Sequence, residues 1–182
     1  MQPRIILTPV SAENIDFIAD MKTTPGLRPF EPSIQTDRYA VRKKILDRIG
    51  KGDRHFIVCL DDSEKTPIGE FRIHWGDEER KTWEIGYCVL PEYRRRGYCT
   101  EAAEIALSYA FDNWGAHRVF AMCNEHNAAS RRVMEKIGMT KEGVFRGELP
   151  WNGAWADQYF YAILDYEYEN KFTNKRTGAV IC

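Results

Sequence analysis

Residues 91–102, PEYRRRGYCTEA, connect the end of an apolar run to the start of a segment with helical spacing. The first turn of a helix leaves backbone N–H groups unpaired, and the helix dipole favours anions there. Gly97 lets the backbone approach a ligand closely because it has no Cβ, and Arg94, Arg95 and Arg96 add positive charge. The stretch therefore predicts a loop that binds a pyrophosphate at a helix N-terminus.

Taken alone, such an arginine run is more often a solvated loop than a binding site. The choice between the two therefore depends on other features of the sequence. The sequence contains neither GxxxxGK[ST] nor GxGxxG, which excludes a Walker loop and disfavours a dinucleotide-binding fold. The 26 basic and 27 acidic residues give a net charge of −1. Because no extended basic stripe accompanies the arginines, a nucleic-acid-binding module is disfavoured and no nucleic-acid partner is expected.

Composition predicts an ordinary globular protein of the cytoplasm. Apolar residues make up 43% of the 182 residues, and no run approaches the roughly 20 apolar residues of a membrane span. The N-terminal apolar stretch is too short for a secretory signal. The five cysteines are odd in number and lack CxxC spacing, so reduced thiols are expected. We expect one domain at residues 1–170, a flexible tail at 171–182, and no metal.

Hydrophobic periodicity and turn signals predict the order β-α-α-β-β-β-α-β-α-β-β. Strands are predicted at residues 4–8, 55–60, 68–75, 82–90, 118–123, 139–145 and 157–166. Helices are predicted at residues 11–21 with Ser11 as the cap, at 36–49 with Thr36 as the cap, at 100–114 and at 128–137. A strand–helix–strand unit within a mostly antiparallel sheet indicates a mixed α/β domain.

Three motifs in this order resemble the GNAT (Gcn5-related) N-acetyltransferases. RRRGYC resembles the [Q/R]-x-x-G-x-[G/A] loop of that family, with Cys99 where glycine or alanine is usual. EIGYCVLPEY resembles its fourth strand, and NEHNAASRRVMEKIGMTKEG is similar to the N-x-x-S-x(5)-K-x-G-[FM] segment of the branch that contains the ribosomal-protein N-acetyltransferases. The resemblance implies the family's acyl-CoA N-acyltransferase fold, a mixed, mostly antiparallel sheet of about seven strands flanked by about four helices.

The resemblance also implies acetyl-CoA as the cofactor. Its pyrophosphate would lie on the backbone amides of the glycine loop, and its pantetheine arm would enter between the fourth and fifth strands as they part. The amine would attack the thioester directly in a ternary complex, so the enzyme needs a base and a donor for the leaving thiolate. The residues expected to bind the cofactor are Cys88, Val89, Arg94, Arg95, Arg96, Gly97, Tyr98, Cys99, Thr100, Asn127 and Ser130.

Glu84 is the first candidate for the base, because several GNAT enzymes carry a glutamate base on the fourth strand. The strand pattern gives a separate argument. If Trp75 pairs with Trp83 around the turn, Glu84 lies opposite His74 and shares a face with it and with Arg72. The alternative role for Glu84 is a structural carboxylate that pairs with one of these two side chains.

Three further side chains are candidates for the chemistry. Glu148 precedes an Asn-Gly turn signal, near where some ribosomal-protein acetyltransferases place a base, and its alternative is a solvated loop glutamate. Asn127 is expected to bind the cofactor arm, to cap a helix, or both. Ser130 would hydrogen-bond the leaving sulfur, directly or through water. Many relatives use a tyrosine acid at the position of Met134, which cannot donate a proton.

The favoured acceptor is a peptide N-terminal α-amine, such as that of a ribosomal protein. At pH 7 the free base costs roughly 1.4 kcal/mol for an α-amine and about 4.6 kcal/mol for a lysine amine. A site with a carboxylate base and no tyrosine acid suits the α-amine better. A polyamine or an antibiotic amine stays an alternative acceptor, and a non-catalytic acyl-CoA sensor stays an alternative function. A homodimer is common in the resembled branch.

Overall fold

The computed structural model describes residues 4–32 and 35–172. The elements are β1 (Ile5–Pro9), α1 (Ile15–Thr23), α2 (Arg38–Ile49), β2 (Arg54–Leu60), β3 (Pro67–Asp77), β4 (Thr82–Val89), α3 (Tyr98–Ser108), β5 (Arg118–Asn124), α4 (Ala128–Lys136), β6 (Thr140–Trp151), β7 (Ala154–Leu164) and α5 (Asp165–Phe172). The flexible tail predicted at 171–182 lies outside the described residues from 173 onward, and residues 171 and 172 belong to α5.

All seven strands form one sheet in the order β1-β2-β3-β4-β5-β7-β6. Neighbouring strands are antiparallel, except that β4 and β5 run parallel and are connected through α3. A parallel pair requires such a crossover, because a short hairpin can join only antiparallel strands. The predicted mixed, mostly antiparallel sheet is therefore confirmed, and the described residues form five α-helices where about four were predicted.

Helices cover both faces of the sheet. Residues of α3, α4 and α5 pack with strand side chains such as Phe71 and Trp83 in the larger core. Residues of α1 and α2 pack with Ile57 and Cys59 in a second, smaller core. Alternation along β2 explains the division, since Phe56 and Val58 belong to the first core and their neighbours to the second.

The pairing of β3 with β4 has the predicted register. Trp75 pairs with Trp83, and His74 pairs with Glu84. The two indole rings stack with their centroids 3.7 Å apart. Phe71 is fully buried on the same face, which places the polar residues between these positions on the opposite face of the sheet.

The predicted caps of the first two helices are wrong. Asp37, not Thr36, caps α2, because its carboxylate accepts a hydrogen bond of 3.0 Å from the third backbone N–H after it. The first helix begins at Ile15 rather than directly after Ser11. The Ser11 hydroxyl instead accepts a hydrogen bond of 3.2 Å from the backbone of Glu13 in a local turn.

The last predicted strand ends early, and α5 was not predicted. β7 ends at Leu164, although a strand was predicted to residue 166. Tyr168 and Phe172, four positions apart, are the buried residues of this segment, which is helical spacing. The backbone N–H of Leu164 donates to the Glu167 carboxylate at 2.9 Å and supports the first turn of the helix.

Candidate active site

β4 and β5 are hydrogen-bonded to each other over only three residue pairs. Thr82, Trp83 and Glu84 pair with residues 118–120, after which β4 continues to Val89 and β5 to Asn124 without pairing. Each strand keeps its outer neighbour, because β4 stays paired with β3 and β5 with β7. The two strands thus diverge toward their C-terminal ends and leave an opening in the sheet, where the parting of strands was predicted.

The glycine loop lies at the wide end of this opening. Gly97 has a φ of +89° and immediately precedes α3, a conformation that side chains with a Cβ rarely adopt. None of the backbone N–H groups of residues 95–100 donates a hydrogen bond within the described part of the chain. Six consecutive free amides at a helix N-terminus form a cradle that fits a pyrophosphate.

The three arginines of the loop have different surroundings. Arg94 points back into the protein, where its guanidinium donates to the carbonyl oxygens of Val89 at 3.0 Å and Leu27 at 2.7 Å. Arg95 is exposed, and Arg96 is exposed with its guanidinium 5.8 Å from the centre of the Tyr93 ring. Arg95 and Arg96 are therefore free to meet an anion, whereas Arg94 fixes the chain before the loop.

Sequence reasoning missed Arg4, which supports the loop from β1. Its guanidinium donates to the Arg96 carbonyl at 3.3 Å and forms an ion pair of 2.8 Å with Glu101 in the first turn of α3. It also lies 5.0 Å from the centre of the Tyr98 ring. No local pattern signals these contacts, since Arg4 and Glu101 are 97 positions apart.

Glu84 lies at the narrow end of the opening, on the face covered by α1 and α2. Its carboxylate is 3.0 Å from His74 Nε2 and 3.7 Å from Arg72 Nη2. Burial raises the pKa of Glu84, but the hydrogen bond and charge of His74 and the charge of Arg72 outweigh it, so the pKa lies below its ordinary value. Glu84 is therefore an ionised, oriented proton acceptor with the predicted partners.

Ser130 and Asn127 lie in and just before the first turn of α4. The Asn127 side chain caps this helix by accepting a hydrogen bond of 3.1 Å from the Ser130 backbone N–H. The Ser130 hydroxyl lies 3.2 Å from the hydroxyl of Tyr87 on β4, a contact that the sequence did not predict. Met134 is fully buried in the core.

The remaining predicted residues have other surroundings. Glu148 is exposed in an irregular part of β6, and its side chain forms no hydrogen bond or ion pair with another described residue. Cys88 lies opposite Glu70 in the β3–β4 pair. Burial raises the pKa of Cys99 to about 12, which leaves this thiol protonated and unsuited to be a nucleophile.

Glu70 is the centre of a buried ionic cluster on the same face of the sheet as Glu84. Its carboxylate is 3.0 Å from Lys22 Nζ and 2.8 Å from His55 Nε2, and it also contacts the Arg28 guanidinium. Burial, together with the charge of Arg28, lowers the pKa of Lys22 to about 7. Burial and the nearby cations lower the pKa of His55 to about 3 and keep it neutral. The cluster anchors the segment that follows α1.

Trp151 connects this segment to the β6–β7 hairpin. Its indole N–H donates to the Pro29 carbonyl at 2.8 Å, and its ring stacks on Phe30 with centroids 6.2 Å apart. The other stacking partner is His126, between β5 and α4, at 4.4 Å. Three separate segments of the chain therefore meet around one indole.

Within residues 4–32 and 35–172, no group of three or more His, Cys, Asp or Glu side chains is placed to hold a metal ion. The helices of the same residues are all too short or too polar to cross a bilayer.

The chain matches the family model described as the acetyltransferase (GNAT) domain over residues 4–140. It therefore belongs to the GNAT family and is an N-acetyltransferase of that type. GNAT acetyltransferases use acetyl-CoA.

Relatives of the chain occur in Bacillus subtilis (strain 168). YnaD, an uncharacterised N-acetyltransferase, is 45% identical over 122 residues, which are 65% of this chain and 69% of YnaD. YjcK, named a probable N-acetyltransferase, is 38% identical over 138 residues, which are 71% of this chain and 75% of YjcK. A third protein, named "Putative ribosomal N-acetyltransferase YdaF", is 33% identical over 103 residues, or 57% of this chain and 56% of YdaF.

Solved structures share the fold over nearly the whole chain. A GNAT-family acetyltransferase from Bacillus anthracis is 31% identical with a TM-score of 0.78, covering 90% of this chain and 96% of that one. The spermidine N-acetyltransferase from Vibrio cholerae in complex with CoA and spermine has a TM-score of 0.80 at 20% identity, covering 92% and 99%. The ribosomal-protein-S5-alanine acetyltransferase from Vibrio fischeri has a TM-score of 0.79 at 21% identity, covering 92% and 97%.

Proposed function

We propose that the protein transfers the acetyl group of acetyl-CoA to the N-terminal α-amine of a peptide, by direct attack in a ternary complex. The observation that carries this proposal is the pairing of two features, the six free amides of residues 95–100 and the opening between β4 and β5. The amides and the exposed Arg95 and Arg96 would hold the pyrophosphate. The opening would take the pantetheine arm beside the backbone of Cys88 and Val89.

Glu84 is the base in this proposal, acting directly or through water. Its position at the end of the β4–β5 pairing and its ionised state favour it over the exposed Glu148. A carboxylate with a low pKa removes a proton more readily from an α-amine, with a pKa near 8, than from a lysine amine near 10.4. Ser130 would donate to the leaving sulfur, since the buried Met134 offers no proton.

The charged side chains around a cavity next to α2 support an acceptor with a single amine rather than a polyamine. A cavity of about 150 Å³ lies between α2 and the sheet, and Arg72 in its lining is 3.7 Å from Glu84. Its charged lining consists of Lys22, Lys44, Arg48, Arg72, Glu31 and Asp53. Lys22 pairs with Glu70, Arg72 with Glu84, and Arg48 with Asp53. Lys44 forms no ion pair with another described residue, so it would repel a further positive charge on an acceptor, by roughly 4 kcal/mol at 4 Å near a protein surface.

The relatives are consistent with this assignment without deciding it. The name of YdaF refers to a ribosomal acceptor. The Vibrio spermidine enzyme and the Vibrio S5-alanine enzyme share the fold with this chain equally well, at identities near 20%. The charge of Lys44 and the lower pKa of an α-amine therefore carry the choice between the two classes of acceptor.

An acceptor panel tests the proposal. Purified protein and acetyl-CoA would be given a short peptide with a free N-terminus, the same peptide with that amine blocked and a lysine retained, and spermidine. Released coenzyme A thiol and the mass of each acceptor would be measured. We expect acetylation of the free N-terminus alone. Preferential acetylation of spermidine would overturn the choice of acceptor, and no transfer to any amine would overturn the proposed reaction.

The homodimer and the cytoplasmic location stay predictions, as does the boundary of the domain at residue 170. Sedimentation of the purified protein at several concentrations would test the dimer, since a monomer at all of them would contradict it.

A further inference from the structure

The hydroxyl of Tyr87 connects the edge of the opening to α4. It lies 3.2 Å from Ser130 Oγ and 3.3 Å from the Ser130 carbonyl oxygen. Tyr87 belongs to the part of β4 that has left β5, and Ser130 lies in the first turn of the helix that follows β5. The contact thus brings a phenol to the hydroxyl proposed to meet the thioester sulfur.

The residue at position 134 is a methionine, which makes the orientation of the Ser130 hydroxyl important. Ser130 and Met134 are one helical turn apart and therefore lie on the same side of α4. Met134 is fully buried and has no proton to donate, so the hydroxyl of Ser130 is the donor that this side of the helix offers to the opening. A serine hydroxyl without a fixed partner can rotate among several acceptors. In a helix, the carbonyl oxygens of the preceding turn also accept its hydrogen bond.

We propose that Tyr87 is a positioning residue for the departure of coenzyme A. Its O–H donates to Ser130 Oγ, which leaves the Ser130 O–H to point at the sulfur. This inference rests on the proposed acetyl transfer. As the amine nitrogen bonds to the carbonyl carbon, the C–S bond breaks and its electron pair goes to sulfur. The Ser130 hydrogen bond stabilises that thiolate, the amine's proton leaves through Glu84 or water, and the thiolate takes a proton from solvent after release.

The surroundings of Tyr87 suit a fixed donor. Burial raises the pKa of Tyr87 well above its ordinary value, an effect that the hydrogen bond with Ser130 only partly offsets. The phenol therefore keeps its proton at neutral pH and orients Ser130 without transferring a proton itself. A hydrogen bond to a developing thiolate is stronger than one between neutral groups, so its loss should be measurable.

The first test measures binding and requires no turnover. The pKa of the coenzyme A thiol in its complex with the protein can be followed by the ultraviolet absorbance of the thiolate. We expect Tyr87→Phe and Ser130→Ala each to raise that pKa by about one unit relative to the unmodified protein. Ser130→Thr retains a hydroxyl and should restore most of the effect. The matched control is Tyr161→Phe, because Tyr161 is a buried tyrosine whose hydroxyl donates at 3.3 Å to Glu135, on the same helix.

The second test measures turnover with the acceptor found in the panel. Tyr87→Phe and Ser130→Ala should each lower kcat about tenfold to a hundredfold and leave the KM for acetyl-CoA nearly unchanged. The double variant should be no slower than Ser130→Ala, because Tyr87 acts only through Ser130. Tyr161→Phe should keep the original kcat.

Three results would overturn the inference. They are a Tyr87→Phe protein with unchanged thiol pKa and kcat, losses that multiply in the double variant, or a loss confined to the KM for acetyl-CoA. If the unmodified protein acetylates no amine, the proposed function fails. The thiol pKa of bound coenzyme A still decides the role of Tyr87 in that case.

Discussion

Glu84 stands opposite Phe120 in the last pair of the parallel ladder between β4 and β5. Beyond this pair the strands part, so the carboxylate lies at the point where the opening begins. The hydrogen-bond partner of Glu84, His74, comes from the neighbouring strand β3 and holds it on the face covered by α1 and α2. The Glu84 carboxylate thereby lies at the narrow end of the opening that would hold a thioester, and its partner Arg72 lines the cavity proposed to receive an amine.

The backbone amides around Gly97 should bind acetyl-CoA more weakly when the backbone conformation at this residue is strained. Gly97→Ala places a Cβ at a φ of +89° and 3.4 Å from Arg4 Nη2, and we expect the Kd for acetyl-CoA to rise about tenfold or more. Gly115→Ala is the matched control, because Gly115 also has a positive φ, of +62°, and lies away from the cradle. Both variants should lose about 1–2 kcal/mol of stability. Equal acetyl-CoA affinities of the two variants, measured by calorimetric titration, would contradict the cradle.

Replacing the carboxylate of Glu84 by an amide separates the two candidate bases. Glu84→Gln should lower kcat about a hundredfold or more and leave the Kd for acetyl-CoA unchanged, because a base is needed only for the amine proton. Glu148→Gln makes the same chemical change at an exposed position and should lower kcat by much less. The reverse order of the two effects in steady-state assays would assign the base to Glu148.

The alternation of apolar and polar residues was sufficient to predict how β3 pairs with β4 at the centre of the sheet. The apolar residues of β3 and β4, Trp75 and Trp83 among them, face the core together in only one register. A slip by one residue would turn the residues of one strand to the other face. The lack of a Cβ at Gly97 predicted a close approach of the backbone to a ligand, whereas its φ of +89° is a finding of the structure. The caps Ser11 and Thr36 were wrong by a few positions, since serine, threonine, asparagine and aspartate all satisfy the same local signal.

Contacts between distant parts of the chain left no local signal. Tyr87 and Ser130 are 43 positions apart, and Arg4 meets Glu101 across 97 positions. A single hydrophobic pattern fixes which face a side chain occupies but not which distant polar group it meets. The composition of the glycine loop likewise did not reveal that Arg94 points inward, to the carbonyl of Val89.

Removing the indole of Trp151 should weaken acceptor binding specifically. Trp151→Ala breaks the contacts with Pro29, Phe30 and His126, so the segment after α1 loses its link to the hairpin. We expect the KM for the acceptor to rise about tenfold, with the Kd for acetyl-CoA unchanged. Trp155→Ala, on the other strand of the same hairpin and 71% exposed, is the control and should change neither constant. A parallel loss of acetyl-CoA affinity would show that Trp151 supports the whole opening instead.

Reversing one charge of the cavity should relax the selection against polyamines. Lys44 lines the cavity and forms no ion pair with another described residue, so Lys44→Glu should raise kcat/KM for spermidine by about tenfold. Lys43→Glu changes the net charge equally on the same helix but outside the cavity lining, and should have little effect. The effect of Lys44→Glu should shrink at high salt, because exposed charges are screened. Equal changes of kcat/KM for spermidine in the two variants would mean that the cavity does not select the acceptor.

His55 should make the protein sensitive to mild acid. Lys22 and Arg28 already share the Glu70 carboxylate, and burial keeps His55 neutral by lowering its pKa to about 3. In the unfolded chain the same imidazole binds a proton below about pH 6.5. Between about pH 6.5 and 3 the unfolded state therefore binds more protons, and the free energy of unfolding should fall as the pH falls, by up to about 1.4 kcal/mol per unit.

Urea unfolding at a series of pH values from 7.5 to 4 checks this dependence. His55→Gln keeps a neutral donor beside Glu70 but cannot bind the proton, so its free energy of unfolding should vary less with pH than that of the unmodified protein. His117→Gln removes an exposed histidine, which is paired with Asp165 at 2.9 Å on the surface, and serves as the matched control. The comparison uses differences between variants, because carboxylates titrate in the same range in all three proteins. Identical pH profiles for the His55→Gln and unmodified proteins would mean that His55 accepts its proton in the folded state, with Glu70 holding a third positive charge.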